Sequence, residues 1–457
     1  MSNEPPRLFA LPPEEPTPEA DTAEISAPTS RGTPRTKRPN REQIEFRACS
    51  WNDLLPTDHQ ARIVWQYVQS LDLSALYDRI GAIEHRPGQP PIDPAILMSL
   101  WLYATLRGIG SGRELNRRCD PQKGEVPFQW ICGGVSVNYH TLSDFRSGHT
   151  EFLNDLLTNS IAVLMQEKLV TLDRVAQDGM KVRASAGAAS FRRRETLEEH
   201  LAAARQQVET LQRELESDPA GVTKRQRAAR ERAARERQER LEAALEQMEE
   251  IEDKKTGAEE KAKARCSTTE AEARTMKMAD GGFRPAYNVQ LGTDTETQII
   301  TGVDVTNSGG DQGKMAPMVD QHEERYGQTP EEMLVDGGYV KKDDITNVSE
   351  PNGQTTVYAP VQTPKKKDVD PHRPRKGDSP AVAAWRERMA TEEAKAIYKE
   401  RASTAECVNA IMRNRGGLYQ FRVRGRPKVL AVILWQVLAH NLMRVVALRP
   451  ELAGIAG

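Results

Sequence analysis

A strand-like stretch, Val170 to Ser185 (VTLDRVAQDGMKVRAS), carries Asp178-Gly179 in its middle, yet the next strand pattern begins only at Ala286. A long charged insert separates them. Leu197, Leu201, Ala204, Val208, Leu211 and Leu215 recur at alternating steps of four and three, the spacing of a heptad seam. The breaker Ser217 to Gly221 stops that helix, and a second, Lys224 to about Ile251, carries Ala234, Leu241, Leu245 and Met248. Together they predict an antiparallel, coiled-coil-like helical hairpin. Its arginines (Arg225, Arg227, Arg230, Arg232, Arg235, Arg237, Arg240) suit a solvated face with Glu partners one turn away, with contact to DNA as the alternative.

Beyond the insert, Tyr287, Val289 and Leu291 alternate, a turn is expected at Gly292 to Asp294, and Ile299, Thr301, Val303 and Val305 alternate again. An amphipathic helix through Met315, Met318, Val319 and His322 follows. Next come a short strand, Glu332 to Val335, ending in Asp336-Gly337-Gly338, and another at Thr355 to Ala359. A continuous helix, Glu392 to Arg413, a short strand, Leu418 to Val423, and an apolar helix close the pattern. Without the insert this is three antiparallel strands followed by helix–strand crossovers onto a mixed sheet. Right-handed crossovers set the fourth strand beside the first, which makes Asp178 and Asp336 neighbours.

The region before Val170 is helical: Asp58 to Tyr77, Pro94 to Arg107 with Pro near its first turn, Ser111 to Arg118, and Thr141 to Arg146 running on toward Leu157. Short helices joined by Gly and Asn turns resemble a helix-turn-helix bundle, a pattern shared by many packing domains. The expected organisation is a disordered tail at 1–42, rich in Pro and Glu, and an all-helical domain at 43–165, a candidate DNA-end-binding region or a plain packing domain. An α/β catalytic domain follows at 166–190 and 266–450, with the helical hairpin inserted at 191–265 and a basic flexible loop at 362–380.

Lys and Arg number 64 against 66 Asp and Glu, so nucleic-acid binding has to be argued from local charge. Five cysteines without a CxxC pair fit a reducing, cytoplasmic setting. The opening residues lack the basic and apolar regions of a secretory signal. Val429 to Leu448 contains Gln436, His440, Asn441 and Arg444, which suits a buried helix better than a membrane span.

Two carboxylates on adjacent strands attract a hard cation. A third acid from the long helix, Glu400 or Glu406, would complete a two-metal site for phosphodiester chemistry. Tyr398, Arg401 and Arg413 fall on a broad face of that helix. Asp304 is the rival strand acid. A DGG triplet is also a common turn, and Asp280-Gly281-Gly282 is taken as one. Tyr398 suits core packing, and Arg401 an ion pair, as readily as contact with DNA. Trp385 suits a packed helix, and His440 and Asn441 suit internal hydrogen bonds. His140 and His322 lack ligand-spaced partners for zinc. The run Gly309 to Lys314 (GGDQGK) departs from a P-loop in its spacing and in Met315, which excludes a nucleotide site there, and no GxSxG occurs.

At these residues the chain resembles bacterial insertion-sequence transposases of the DDE, RNase H-like superfamily, in the branch with a helical amino-terminal domain and a Tyr–Arg–Glu–Lys signature. The likeness runs through Gly88 to Arg146, AQDGMKVRAS, ADGGFRPAYNVQ, LVDGGY and AIYKERASTAECVNAIMRNR. It implies an RNase H-like sheet and Asp178, Asp336 and Glu406 as catalytic, metal-binding acids. It also implies two Mg²⁺ ions, replaceable by Mn²⁺, and Tyr398 and Arg401 as signature partners. Arg413 stands where the signature has Lys, and guanidinium and ammonium are not interchangeable. Tyr398, Arg401 and Arg413, with Lys365, Lys366 and Lys367 of the basic loop, are the expected DNA contacts. The implied activity is cleavage at terminal inverted repeats and joining to target DNA by a homodimer near the nucleoid, with neither membrane nor nucleotide cofactor. A nuclease that only hydrolyses DNA, or an inactive DNA-binding protein, would carry the same pattern.

Overall fold

The computed structural model describes residues 50–82, 90–217, 224–363 and 369–453. The expected tail at 1–42, the breaker at 218–221 and Lys365, Lys366 and Lys367 lie outside them, as do the side chains of Leu215, Arg225 and Arg227.

The first helices are α1 (Gln60–Ser70), α2 (Ser74–Tyr77), α3 (Pro94–Leu106), α4 (Gly112–Arg118), α5 (Val126–Cys132), α6 (Tyr139–Gly148) and α7 (Thr150–Gln166). The helical pattern from Asp58 to Tyr77 breaks at Leu71, whose backbone is extended, and the run from Thr141 toward Leu157 breaks at His149. Asp93 caps α3 through Ala95 N–H, with Pro94 in the first turn, where a missing N–H costs nothing. Residues 94–105 of α3 are buried on every side.

Next come β1 (Arg174–Arg183), β2 (Phe191–Arg192), the hairpin helices α8 (Arg194–Ser217) and α9 (Lys224–Asp253), and α10 (Ala258–Ala262). Leu197, Leu201 and Ala204 of α8 bury against Leu241, Ala244 and Met248 of α9, a small core separate from the main one. The hairpin is held by Arg194–Glu252 at 2.7 Å and Arg205–Glu242 at 2.9 Å, both across the helices. The expected pairing of the α9 arginines with Glu one turn away is not found among the described residues. Instead Arg237 reaches Gln207 of α8, and Arg230, Arg232, Arg235 and Arg240 are exposed.

The rest of the chain supplies β3 (Cys266–Ser267), β4 (Arg274–Lys277), β5 (Phe283–Asp294), β6 (Ile300–Thr306), α11 (Met315–Tyr326), β7 (Glu332–Leu334), α12 (Lys342–Val348), β8 (Thr356–Tyr358), α13 (Pro380–Arg388), α14 (Glu392–Arg401), α15 (Cys407–Asn414) and α16 (Arg426–Leu448). The main sheet runs β4-β5-β1-β7-β8, with β6 on the same edge of β5 as β4. β1 pairs antiparallel with β5 and parallel with β7, so the fourth long-range strand does lie beside the first. The turn between β5 and β6 falls at Thr295 to Gln298 rather than Gly292 to Asp294. The Asp294 carboxylate caps it by accepting from Thr297 N–H and hydroxyl. Leu418 to Val423 forms no strand; it touches β1 through one parallel bridge, Arg183 to Gln420.

α16 is the one helix among the described residues long and apolar enough to cross a membrane, but it is mostly buried inside the protein. It packs on α3, α6, α7 and β6 and so joins the helical region to the sheet in one core. Its polar residues satisfy backbone groups: Asn441 accepts from Ile300 N–H and donates to Ile300 C=O, and His440 pairs with Gln298 C=O.

On the other side of the sheet, His322 of α11 is fully buried between Thr301 Oγ1 (2.8 Å) and Met318 C=O (2.7 Å). Burial pushes its imidazole down to about 4. The folded state therefore holds it neutral, and its contribution is complete above about 6.5 and lost as pH falls toward 4. On the order of 3 kcal/mol is at stake. Denaturant titrations between pH 7 and 4 should show this loss in the wild type and its absence in His322→Gln. An unchanged pH slope in the variant would assign the loss to other groups.

Candidate active site

β1 has neighbours on both edges, and its side chains alternate between the two faces of the sheet. Asp178 points to the face covered by α14 and α15; Gln177 and Gly179 point to the face covered by α11. Asp336 follows β7 by two residues. Its Oδ1 accepts from Gly338 N–H at 2.7 Å, the ordinary capping role of an Asp before glycines, while its Oδ2 turns toward Arg401.

α14 and α15 do not form a plain α-helix. One turn of π-helix, Ala402–Glu406, joins them. Five residues of α-helix would swing Glu406 well away from Arg401, and the wider turn brings the two back to one side. Arg401 Nη2 lies 2.9 Å from Asp178 Oδ1 and 3.7 Å from Asp336 Oδ2, and its Nη1 lies 3.1 Å from Glu406 Oε1. A single guanidinium thus contacts three carboxylates from three distant parts of the chain. Asn409, one turn beyond Glu406, donates to the other oxygen of Asp178 at 2.9 Å. Arg401 is 9% exposed and Asp178 18%, whereas Glu406 is 58% exposed, so the cluster opens to solvent on the Glu406 side.

Three negative charges against one positive leave this cluster acidic. Burial pushes the Asp178 carboxyl above the usual carboxylate range, and Asp336 adds to the effect against the opposing pull of Arg401 and Asn409. The acids hold Arg401 more firmly protonated despite its burial. Oxygen donors alone make this a set suited to hard divalent cations. Among the described residues no three His, Cys, Asp or Glu side chains stand ready to hold a metal as they are, and here the Arg401 guanidinium lies among the carboxylates.

Glu400, the other acid considered on this helix, is engaged elsewhere. Arg174 at the start of β1 holds it at 2.6 Å and also pairs with Glu332. Asp304 pairs in register with Gln290, which pairs with Gly179, so it lies on the opposite face from Asp178. Tyr398 is half-buried, its phenol raised chiefly by burial and within electrostatic reach of Arg401, Asp336 and Glu406. Arg413 does not reach the acids; its Nη2 meets Lys181 C=O at 3.4 Å. Trp385 is buried and donates to Ala359 C=O, so it is a core residue.

Sequence reasoning did not single out the layer beneath β1. Asp311, within the run set aside as a failed P-loop, accepts from Asn288 Nδ2 (2.6 Å) and Gln290 Nε2 (2.8 Å). Gln177 donates to Gln290, and Tyr339, just past Asp336, donates to Gln290 as well. Alternate polar residues on β5 (Asn288, Gln290) were the available signal. Gly179 is required by this layer: a Cβ there would stand 2.4 Å from Asp311 Oδ1 and 2.7 Å from Gln290 Nε2.

Gly179→Ala should cost about 1–3 kcal/mol of stability by overpacking, measured by denaturant unfolding. Arg401→Gln should cost a similar amount, on the order of 1–3 kcal/mol, because the acids lose their cation. Asp178 is favourable to folding below about pH 4 and becomes costly as pH rises through its raised folded value, so the Arg401→Gln deficit should grow from pH 5 to 8. Added Mn²⁺ should recover part of it; a deficit flat with pH and indifferent to Mn²⁺ would show that the acids do not act as one cluster.

Two protein families match the chain. A family described as a transposase domain, DUF772, matches residues 49–148, the helical region up to the end of α6. A family described as a transposase DDE domain matches residues 365–446, which include Tyr398, Arg401, Glu406 and Arg413. Asp178 and Asp336 lie between the two matched segments. No curated protein and no solved structure matches the chain. Transposase-family segments thus flank, in sequence, the strands that bring three acids around Arg401, and the two matches together support an insertion-sequence transposase of the DDE type, an enzyme.

Proposed function

We propose that this transposase cuts DNA at the terminal inverted repeats of its own insertion sequence and joins the freed ends to target DNA. Asp178, Asp336 and Glu406 are its acid set, on an RNase H-like sheet. The observation that carries this reading is the contact of one guanidinium, Arg401, with those three carboxylates. Two Mg²⁺ ions held by the three acids, with Mn²⁺ able to replace them, would polarise the phosphodiester and make water or a 3′-hydroxyl a competent nucleophile at neutral pH. Asp178 presents its oxygens from β1, Asp336 from the turn just past the adjacent β7, and Glu406 from the helix above. Arg401 offsets part of their charge. Asn409 fixes the Asp178 carboxylate by holding its second oxygen.

Hydrolysis at the repeat tip breaks the P–O bond and leaves a 3′-hydroxyl on the element. That hydroxyl then attacks a target phosphodiester, whose own 3′-oxygen leaves. Neither a covalent enzyme intermediate nor ATP is needed. Tyr398 beside the acids and Arg413 against Lys181 of β1 are the proposed DNA contacts, and Lys365, Lys366 and Lys367 belong to the same proposal. Double-stranded DNA and a second copy of the chain are the partners, since two ends have to be held together. The α8–α9 hairpin is the proposed dimer or end-binding element. The setting is the cytoplasm of a bacterial cell, at the nucleoid.

Purified protein, Mn²⁺ and a plasmid carrying the inverted repeats should give strand breaks at the repeat tips, and Asp336→Asn should reduce them to background while DNA binding stays near wild type. Equal loss of binding would remove Asp336 from the acid set. Scattered cuts, with no joining of a pre-cleaved end, would leave a nuclease. Deleting Glu195 to Lys263 should abolish pairing of two ends, read by gel shift; intact pairing would exclude the hairpin from that role.

A further inference from the structure

Arg146, in the last turn of α6, is 8% exposed and has no carboxylate partner among the described residues. Its Nη1 donates to Gly110 C=O, its guanidinium lies 4.8 Å from the centre of the Trp101 ring, and its Nε is buried without a partner. A helix C-terminus, one carbonyl and an aromatic face each favour a cation modestly, but none replaces the counter-ion that a buried charge ordinarily has. The charged group that acts on it, Arg422, has the same sign. Burial and the Arg422 guanidinium together push Arg146 down to about 10, so it remains charged at neutral pH. Arg422 itself is exposed and also has no ion pair among the described residues.

The surroundings are equally one-sided. After Glu406 the next Asp or Glu is Glu451, while Arg413, Arg415, Arg422, Arg424, Arg426 and Lys428 fall in that interval. Glu270 and Glu272, just before β4, accept from the backbone of Gly425 and Arg426, and Glu270 also acts on Arg424; among the described residues no such acid attends Arg422. The segment is anchored to the catalytic strand, because Arg183 at the end of β1 accepts from Phe421 N–H at 2.8 Å and donates to Tyr419 C=O at 3.3 Å. It is anchored to the helical region as well, since Trp435 Nε1 donates to Arg146 C=O. Asp178 and Arg183 are five residues apart on one strand, about 17 Å at 3.3–3.4 Å per residue. Successive phosphates of a DNA strand advance by about 3.4 Å along the axis.

We propose that Arg146 and Arg422 together bind a backbone phosphate of duplex DNA, roughly five nucleotides from the bond that is cut. This rests on the reading of the chain as a DNA-cutting enzyme. The phosphate supplies the missing counter-ion of Arg146 and ties the helical region, through α6, to the segment beside β1. The contact is to the backbone, so it positions the duplex without reading its sequence.

The test measures binding of the full-length protein to a duplex carrying the repeat tip, by fluorescence anisotropy in EDTA between 50 and 300 mM salt. Arg422→Ala changes an exposed side chain and should leave folding intact. It should weaken binding about three- to tenfold at 150 mM salt, equally for repeat and unrelated sequence, and reduce the log–log salt slope by about one. Arg146→Gln should do the same, with its fold checked by circular dichroism. Inorganic phosphate at constant ionic strength separates the sources. A rise in Tm of the wild type that is lost in Arg422→Ala identifies a site that also accepts free phosphate; no rise, with the DNA slope still reduced, identifies one that needs the DNA backbone. Wild-type DNA binding matched in affinity and slope by Arg422→Ala would overturn the inference and leave the proposed function standing. No DNA binding by the wild type, with Arg422-dependent stabilisation by phosphate, would keep the site and remove the DNA reading; neither response would remove both.

Discussion

Everything at the candidate site hangs on the two-sided pairing of β1. Its antiparallel bond to β5 fixes which face Asp178 occupies, and its parallel bond to β7 delivers Asp336 to the same end of the sheet. A slip of one residue in either register would send Asp178 to the α11 face, among Asn288, Gln290 and Asp311. Gly179 guards against that slip, because the space beneath it is already filled by those polar groups. The strand is thus specified from both faces: an acid that needs a cation above, and a residue without a side chain below.

Arg401 resolves the electrostatic problem this creates. Three carboxylates brought into one partly buried cluster would repel one another, and a guanidinium with a planar fork of donors can serve several at once. The turn of π-helix after Arg401 is the local price of that arrangement, since an unbroken α-helix would separate Arg401 from Glu406. The result is a cluster joined by one guanidinium and still carrying excess negative charge.

The same logic of unbalanced charge runs in the opposite sense farther along β1. There the chain turns basic, with Arg183, Arg415 and Arg422 exposed and Arg146 buried without an acid. An acidic centre and a basic approach are what an enzyme acting on a polyanion requires: the acids exclude phosphate until cations screen them, and the flanking arginines retain it. α16 makes this geometry rigid by burying one long apolar helix against both the helical region and the sheet.

Much was legible in the residues alone. β-Branched content marked β1, alternation marked β5 and β6, heptad spacing marked the α8–α9 hairpin, and the crossover rule placed β7 beside β1, because these signals are local and compositional or follow from chirality. The choice between Glu400 and Glu406 was not legible from spacing, since both lie on one helix; the structure separates them through Arg174, which holds Glu400, and through a π turn that no propensity announces. Asn409, Asp311 and the unpartnered Arg146 stayed hidden for a related reason. Asn409 meets Asp178 across 231 residues, Asp311 meets Asn288 and Gln290 only through the packing of its loop on the sheet, and Arg146 is defined by the acid it lacks among the described residues; tertiary packing decides each. Sequence determined the main strands and helices and the acids they carry; the folded chain decided which of those acids share a cation and which arginine is left without an anion.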